Sequence, residues 1–199
     1  MASAGKTLQF TKGSKKTGNR GNIKKMTLTA MLAAIAVILM YMEIPVPFMP
    51  GFIKLDISDL PALFGSFIYG PLCGVFICLV KNVLHSFATN TMFVGEISNF
   101  ILGCAFVVPA GLIYRLHHTK SRKHAVLGMA AGTLLTTAAA CLMNAFVLLP
   151  AYGKAFGMPI EAFIEMGAAV NSSVHSLLGF VVLIIVPFNL FKYTLTSVI

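Results

Sequence analysis

The sequence predicts an all-α, polytopic membrane protein with six transmembrane helices and both termini in the cytoplasm. Three observations lead there. The 199 residues are 57% hydrophobic and only 11% charged, against roughly 25% charged in ordinary soluble domains. The apolar residues gather into runs of bilayer length. The net charge of +9 is concentrated in two basic clusters, seven Lys and Arg before Met26 and four between Arg115 and Lys123, the pattern that marks loops on the cytoplasmic face of a membrane. That distribution points to a lipid bilayer as partner and away from nucleic acid.

A hydrocarbon core of about 30 Å takes roughly 20 apolar residues per helix. Five runs qualify: Met26 to Met42, Leu60 to Phe87, Phe93 to Leu116, Ala125 to Leu149 and Leu177 to Ile199. Met1 to Lys25 is Gly, Ser, Thr and Lys with little to bury, so a disordered basic tail over 1–25 is expected ahead of a membrane domain over 26–199. No apolar run has the basic region and small-residue cleavage site of a signal peptide, so the first apolar helix is expected to remain. Placing both basic clusters in the cytoplasm requires an even number of crossings between them. Three runs separate them, which is odd. The run from Leu60 to Phe87 holds Gly70-Pro71 in its middle, a pair that ends one helix and opens the next. Division there gives six helices.

The first half of the divided run, Leu60 to Tyr69, reaches only about 15 Å as a helix, so it must begin in the preceding loop or lie tilted among its neighbours. The external segments become Glu43 to Asp59, Ser86 to Gly95 and Ala151 to about Ser176. Pro45, Pro47 and Pro50 make the first of these a stiff extended loop over the outer face, because proline restricts itself and its predecessor.

Polar side chains at membrane depth cost about 2.5 to 3.5 kcal/mol for the strongly polar types, so those present need partners or a purpose. Lys81 and Asn82 share a helix side with His85; an interhelical hydrogen bond, an outward-reaching lysine and a ligand contact all fit. Glu96 opens the fourth helix, where it complements the helix dipole, and Asn99 lies one turn deeper, within reach of Lys81 or Asn82. Asn144 sits near the outer end of the fifth helix, and Asn189 and Lys192 follow Pro187 at an i, i+3 spacing. These three either bond one another or converge on one polar ligand. A pocket of this kind, flanked by Phe48, Phe52, Tyr69 and Phe146, suits a flat heteroaromatic with carbonyls better than a metal or an anion.

Catalytic and metal chemistry find little support. Cys73, Cys78, Cys104 and Cys141 fall inside apolar runs and read as packing residues. His85 and His175 stand isolated, His117, His118 and His124 occupy a basic loop, and no acidic residue lies at ligand spacing from any of them. No serine, threonine or cysteine has a recognisable base beside it. No nucleotide-binding glycine loop is present, so any ATP hydrolysis belongs to another subunit.

Six stretches carry a resemblance: TLTAMLAAIAVIL (Thr27 to Leu39), IPVPFMPGFIKLDISDLPALFGSFIYGPLCGV (Ile44 to Val75), LVKNVLH (Leu79 to His85), VGEISNFILG (Val94 to Gly103), NAFVLLPAYGK (Asn144 to Lys154) and VPFNLFKYTLTS (Val186 to Ser197). Together they resemble the S components of energy-coupling factor (ECF) transporters, and among them the riboflavin-specific type. The resemblance implies six helices, no enzymatic activity, no cofactor beyond riboflavin as the transported ligand, and three protein partners: a transmembrane coupling subunit and two cytoplasmic ATPase subunits. It implies that Asn144, Asn189 and Lys192 contact the isoalloxazine ring and that the loop from Pro45 to Asp56, with Lys54 and Asp56 in a KLD pattern, covers the site. Lys81, Asn82, Glu96 and Asn99 match the family pattern in a binding or a structural role. Ala30, Ala33 and Ala34 form a small-residue strip that permits close helix approach in lipid, and the family's matching strip docks on the coupling subunit. Two departures accompany the match: the last helix, counted from Pro187, spans only about 20 Å, and the segment after Tyr152 is long. An S component for thiamine, folate or pantothenate is the nearest rival, against which the KLD and PFN motifs argue; a small intramembrane enzyme is the rival from another class.

Overall fold

The computed structural model describes residues 16–47, 53–88, 93–116, 121–157 and 159–199, with the side chains of 16–20, 155 and 156 left aside. Phe48, Pro50, Phe52, His117 and His118 lie outside the described residues. The architecture is almost wholly helical, and five described helical stretches are long and apolar enough to cross a membrane: Gly21–Tyr41, Pro71–Ala88, Val94–Leu116, Arg122–Lys154 and Leu177–Val198.

Helix α1 (Lys16–Tyr41) begins within the stretch expected to be disordered. Adding turns to a helix already nucleated by an apolar run carries little cost. Its inward side buries Ala33, Ala36 and Met40. After α1, strands β1 (Ile44–Pro45) and β2 (Lys54–Leu55) pair antiparallel, Ile44 opposite Leu55 and Pro45 opposite Lys54. The proline-rich segment is therefore tied at its base by a short ladder, kept short because proline has no N–H to donate.

Helices α2 (Asp59–Tyr69) and α3 (Pro71–His85) meet at Gly70. Gly70 has φ +104°, a backbone open to glycine and strained for other residues, and Pro71 takes the first position of α3, where its missing N–H costs nothing. The division read from Gly70-Pro71 is thus present. Lys25 lies over the Tyr69 ring at 6.0 Å, and the Arg115 guanidinium packs on Gly70. One residue from each basic cluster therefore meets at the α2–α3 turn.

Helix α4 (Val94–Leu116) packs along α5 (Arg122–Met143). Gly128 and Gly132, one turn apart, rest on the backbones of Ala110 and Phe106, where an added methyl would sit 2.7 Å from each carbonyl oxygen. Small residues at this spacing let helices close to backbone contact in lipid.

Two helices carry a π turn just before a proline. A π turn over Asn144–Leu148 joins α5 to α6 (Leu149–Phe156), with Pro150 just beyond it. A second, over Val181–Ile185, joins α8 (Leu177–Phe180) to α9 (Val186–Val198), with Pro187 beyond it. The wider turn relieves the clash between the proline ring and the preceding carbonyl while the helix continues. The apolar run from Leu177 therefore does join the PFN segment as one long helix. The segment expected to be external beyond Ala151 carries the end of α6 and helix α7 (Ile160–Val170), whose Phe163 is buried with Val174 and Phe180 in one core cluster. A second cluster joins α1 to α4 with Tyr193 of α9.

Candidate ligand-binding site

The polar residues of α9, α5 and the hairpin come together because each element places them at the same depth. On α9, the spacing of Asn189, Lys192 and Tyr193 turns all three to one side. Asn189 Nδ2 donates to the Ile185 carbonyl at 2.8 Å, and Asn144 Nδ2 donates to the Ala140 carbonyl at 2.8 Å. Both amides are pinned to their own helices beside a π turn, which leaves their carbonyl oxygens for other partners. On the hairpin, alternation sends Lys54 and Asp56 one way and Leu55 the other.

These residues line a cavity of about 110 Å³. Of the nine side chains singled out as substrate contacts, Asn144, Asn189, Lys192, Lys54, Asp56, Glu96 and Asn99 line it. Lys81 and Asn82 do not. Lys81 is fully buried behind the cavity, donating to Asp59 Oδ1 at 2.7 Å and to Ser58 Oγ at 2.5 Å. Asn82 donates to the Cys78 carbonyl at 2.8 Å, one turn back on its own helix.

Lys192 donates to Asp56 Oδ2 at 2.7 Å, so the hairpin is fastened directly to α9. Asp56 Oδ1 accepts from the Ser58 amide at 2.9 Å and from the Ser58 hydroxyl. Burial alone would raise the Asp56 carboxyl, but the charges of Lys192 and Lys81 and the bonds from Lys192 and Ser58 hold it well below the usual carboxylate range. Its contribution to stability is therefore complete at neutral pH and is lost only as acid protonates the folded form. A run of contacts links Lys192, Asp56, Ser58, Lys81 and Asp59, from the cavity wall into the α2–α3 interior.

Several expectations are corrected. His85 is not isolated: its Nδ1 lies 3.0 Å from Glu96 Oε1 and its Nε2 3.6 Å from Glu43 Oε1, while Lys54 pairs with Glu43. Glu96 thus does more than face a helix dipole. Tyr69 sits at the opposite end of α2 against Lys25, and Phe146 is 76% exposed, so neither flanks the cavity. Among the described residues the aromatic lining includes Tyr152, Phe188 and Tyr193. Ala33 is buried in the core, because one residue rotates a helix by about 100°, and only Ala30 and Ala34 of the small-residue strip face outward. Glu43, His85, Tyr152 and Phe188 were missed as lining residues. For Phe188 the signal is its place inside the PFN motif and for His85 the helix side it shares with Lys81 and Asn82; that Glu43 meets His85 follows only from folding. Among the described residues no group of three or more His, Cys, Asp or Glu is placed to hold a metal ion.

An apolar groove of about 660 Å³ adjoins this cavity and includes Ile44, Leu55, Val170, Pro187 and Phe191 in its lining. Phe188 lines both spaces. The smaller one carries the converging amides and charges and is the candidate site; the larger is lined mainly by carbon.

Comparison with known proteins agrees with the geometry. The model of the family described as "ECF transporter, substrate-specific component" matches residues 24–199. The chain is 33% identical over 176 residues to the riboflavin transporter RibU of Staphylococcus aureus, covering 88% of this chain and 86% of that one. It is 32% identical over 180 residues to the riboflavin transporter FmnP of Bacillus subtilis, covering 89% and 88%. A solved structure described as the S component of a bacterial ECF transporter superposes with a TM-score of 0.69 at 29% identity, covering 89% of this chain and 90% of the other. Family members are transporter subunits and not enzymes. The chain is a membrane protein and belongs to the family of substrate-specific components of ECF transporters.

Proposed function

We propose that this protein captures riboflavin at the outer face of the cytoplasmic membrane and delivers it through a complex with a transmembrane coupling subunit and two cytoplasmic ATPases. The observation that carries the reading is the convergence of Asn144, Asn189, Lys192 and Asp56 on one cavity. Amide oxygens, amide N–H groups and an ammonium paired with a carboxylate complement a ring edge of alternating carbonyls and N–H groups. The relatives named riboflavin transporters support the same ligand.

The cavity is smaller than the roughly 300–1,000 Å³ that ligands of this size fill. Phe188 lines both this cavity and the apolar groove, and the proposed ligand occupies the two together with that ring displaced. The polar edge of the isoalloxazine then faces the amides while its methylated edge faces carbon.

Six crossings with both termini inside is the membrane arrangement that fits best. The packing of Lys25 and Arg115 at the α2–α3 turn supports it, because it brings the start of α1, the end of α2 and the end of α4 to one side. Helix α2 is then a short crossing of 11 residues. The exposed Ala30 and Ala34 are the docking face for the coupling subunit.

Titration of the purified protein with riboflavin tests the ligand. The chain has no tryptophan, so the flavin's own green emission supplies the signal, and saturable quenching is expected. Absence of saturable quenching, or displacement of the flavin by a much tighter-binding thiamine, folate or pantothenate, overturns the assignment.

A further inference from the structure

The charges of the molecule are divided between its two ends. At one end α1 and α3 begin and α2 and α4 finish, and there Lys25 and Arg115 meet the α2–α3 turn. The stretches leading into α1 and joining α4 to α5 carry eleven of the fifteen Lys and Arg and none of the six Asp and Glu. The acids belong to the opposite end: Glu43 follows α1, Asp56 and Asp59 lead into α2, Glu96 opens α4, and Glu161 and Glu165 lie on α7. Among the described residues neither Lys25 nor Arg115 has a carboxylate partner.

These two cations are held in place and left open. The Arg115 guanidinium closes on Gly70, where an added methyl carbon would sit 2.1 Å from its Nη1. Lys25 lies 6.0 Å from the centre of the Tyr69 ring. Both side chains are exposed. So are the apolar residues beside them: Met26 and Leu116, which follow the two cations in the chain, are 71% and 76% exposed, and Leu72, just past the turn, is 84% exposed. Cations next to bare apolar side chains suit the boundary between headgroups and acyl chains, the level at which tyrosines such as Tyr69 also gather. A soluble anion or an acidic protein surface in the cytoplasm would satisfy the cations alone. A phospholipid of net negative charge satisfies both sets, its phosphodiester oxygens matching the planar fork of a guanidinium and its acyl chains covering Met26, Leu72 and Leu116.

We propose that Lys25 and Arg115, gathered at the α2–α3 turn, form a docking site for an anionic phospholipid of the cytoplasmic leaflet. The choice of leaflet rests on the membrane arrangement proposed above, while the site rests on the contacts at Gly70 and Tyr69. A lipid held there bridges the start of α1, the α2–α3 turn and the end of α4.

Native mass spectrometry of the full chain in detergent, with phosphatidylglycerol and phosphatidylcholine in equal amounts, tests the site. Wild type is compared with Lys25→Gln, Arg115→Gln, the double variant, and Lys154→Gln of α6 as a control for net charge. Wild type should retain phosphatidylglycerol over phosphatidylcholine by about 20-fold, and each single substitution at the site should narrow the ratio by about fivefold, the scale of one Lys or Arg at an anionic lipid surface. The double variant should hold both lipids equally, and Lys154→Gln should match wild type. If Arg115→Gln is not monodisperse, Lys25→Gln carries the test, and Arg115→Lys, which keeps the charge, should keep most of the preference. Equal retention of the two lipids by wild type overturns the inference. A preference that survives in the double variant, or falls as far in Lys154→Gln, overturns it too. Displacement of the lipid by inorganic phosphate does the same, because it marks a soluble-anion site. So does a wild type without lipid preference whose double variant loses its ATPase subunits, since the anionic partner is then a protein. A protease site added at the N-terminus reads the arrangement separately: cleavage on intact cells overturns the arrangement and the leaflet with it, whereas lost lipid preference with the N-terminus inside overturns the site alone.

Discussion

Two buried lysine–aspartate pairs close at the same distance and sit in different surroundings. Lys81–Asp59 is sealed among α2, α3 and α4, with both side chains at 0% exposure, whereas Lys192–Asp56 borders the cavity at 8% and 3%. Both lysines are held at 2.7 Å. The interior pair has Ser58 as a further partner, and Asp59 Oδ2 has no hydrogen-bond partner among the described residues. The cavity pair opens onto a space large enough for water or part of a ligand. Identical chemistry is therefore proposed to serve packing in one place and recognition in the other, and what separates the two pairs is access.

Breaking the interior pair gives the largest expected effect. Lys81→Ala strands the Asp59 carboxylate and should cost about 3 to 5 kcal/mol of stability, the usual result of removing one member of a buried pair. Unfolding in detergent measures it. The double change Lys81→Met with Asp59→Leu should recover most of the loss, since apolar groups of similar volume commonly replace buried pairs at little cost. A Lys81→Ala protein as stable as wild type would erase the distinction between the two pairs.

The cavity pair should behave differently. Lys192→Ala or Asn189→Ala is expected to weaken riboflavin binding by about 1 to 3 kcal/mol, the penalty for leaving a buried polar partner unsatisfied. The protein should remain monodisperse, because Asp56 keeps its bonds from Ser58 and gains cavity water. Unchanged affinity in such a variant would assign these groups to helix packing, as in the interior pair.

A substitution far from both sharpens the comparison by what it leaves alone. Ala34→Trp lies on the outward side of α1, while the cavity amides belong to the π turn after α5 and to α9. Riboflavin affinity should change by no more than about twofold, as for surface substitutions generally. Co-purification with the coupling subunit and uptake in cells should be lost, because small residues are what allow close helix approach in lipid. Normal complex formation by this variant would move the docking face elsewhere.

The backbone features were the most legible in the sequence. Gly70-Pro71 encodes its own geometry: one residue supplies the positive φ and the next cannot donate, so the helix break follows from two letters. Asn144, Asn189 and Lys192 were legible as a group because two of them share a helix side and all three sit in motifs with a family resemblance. The partners of Lys81, His85 and Lys192 were not. Asp56 lies 136 positions from Lys192 along the chain, and no periodicity reaches so far. Tyr69 and Phe146 were misplaced for a related reason: a helix side can be read from spacing, but which neighbour that side meets depends on packing. The π turns were also invisible locally, because the prolines that accompany them also fit a helix start.

The interior pair also bears on how the chain is put into the membrane. An isolated α3 would carry a bare ammonium into hydrocarbon, at a cost of about 2.5 to 3.5 kcal/mol. Asp59, at the first residue of α2, sits beside Lys81 near the far end of α3 because the tight turn at Gly70 folds one helix back along the other. Inserted as a hairpin, the two segments arrive with their charges already cancelled. The short α2 thus supplies the opposite charge that α3 would lack alone, through one glycine, one proline and a buried ion pair.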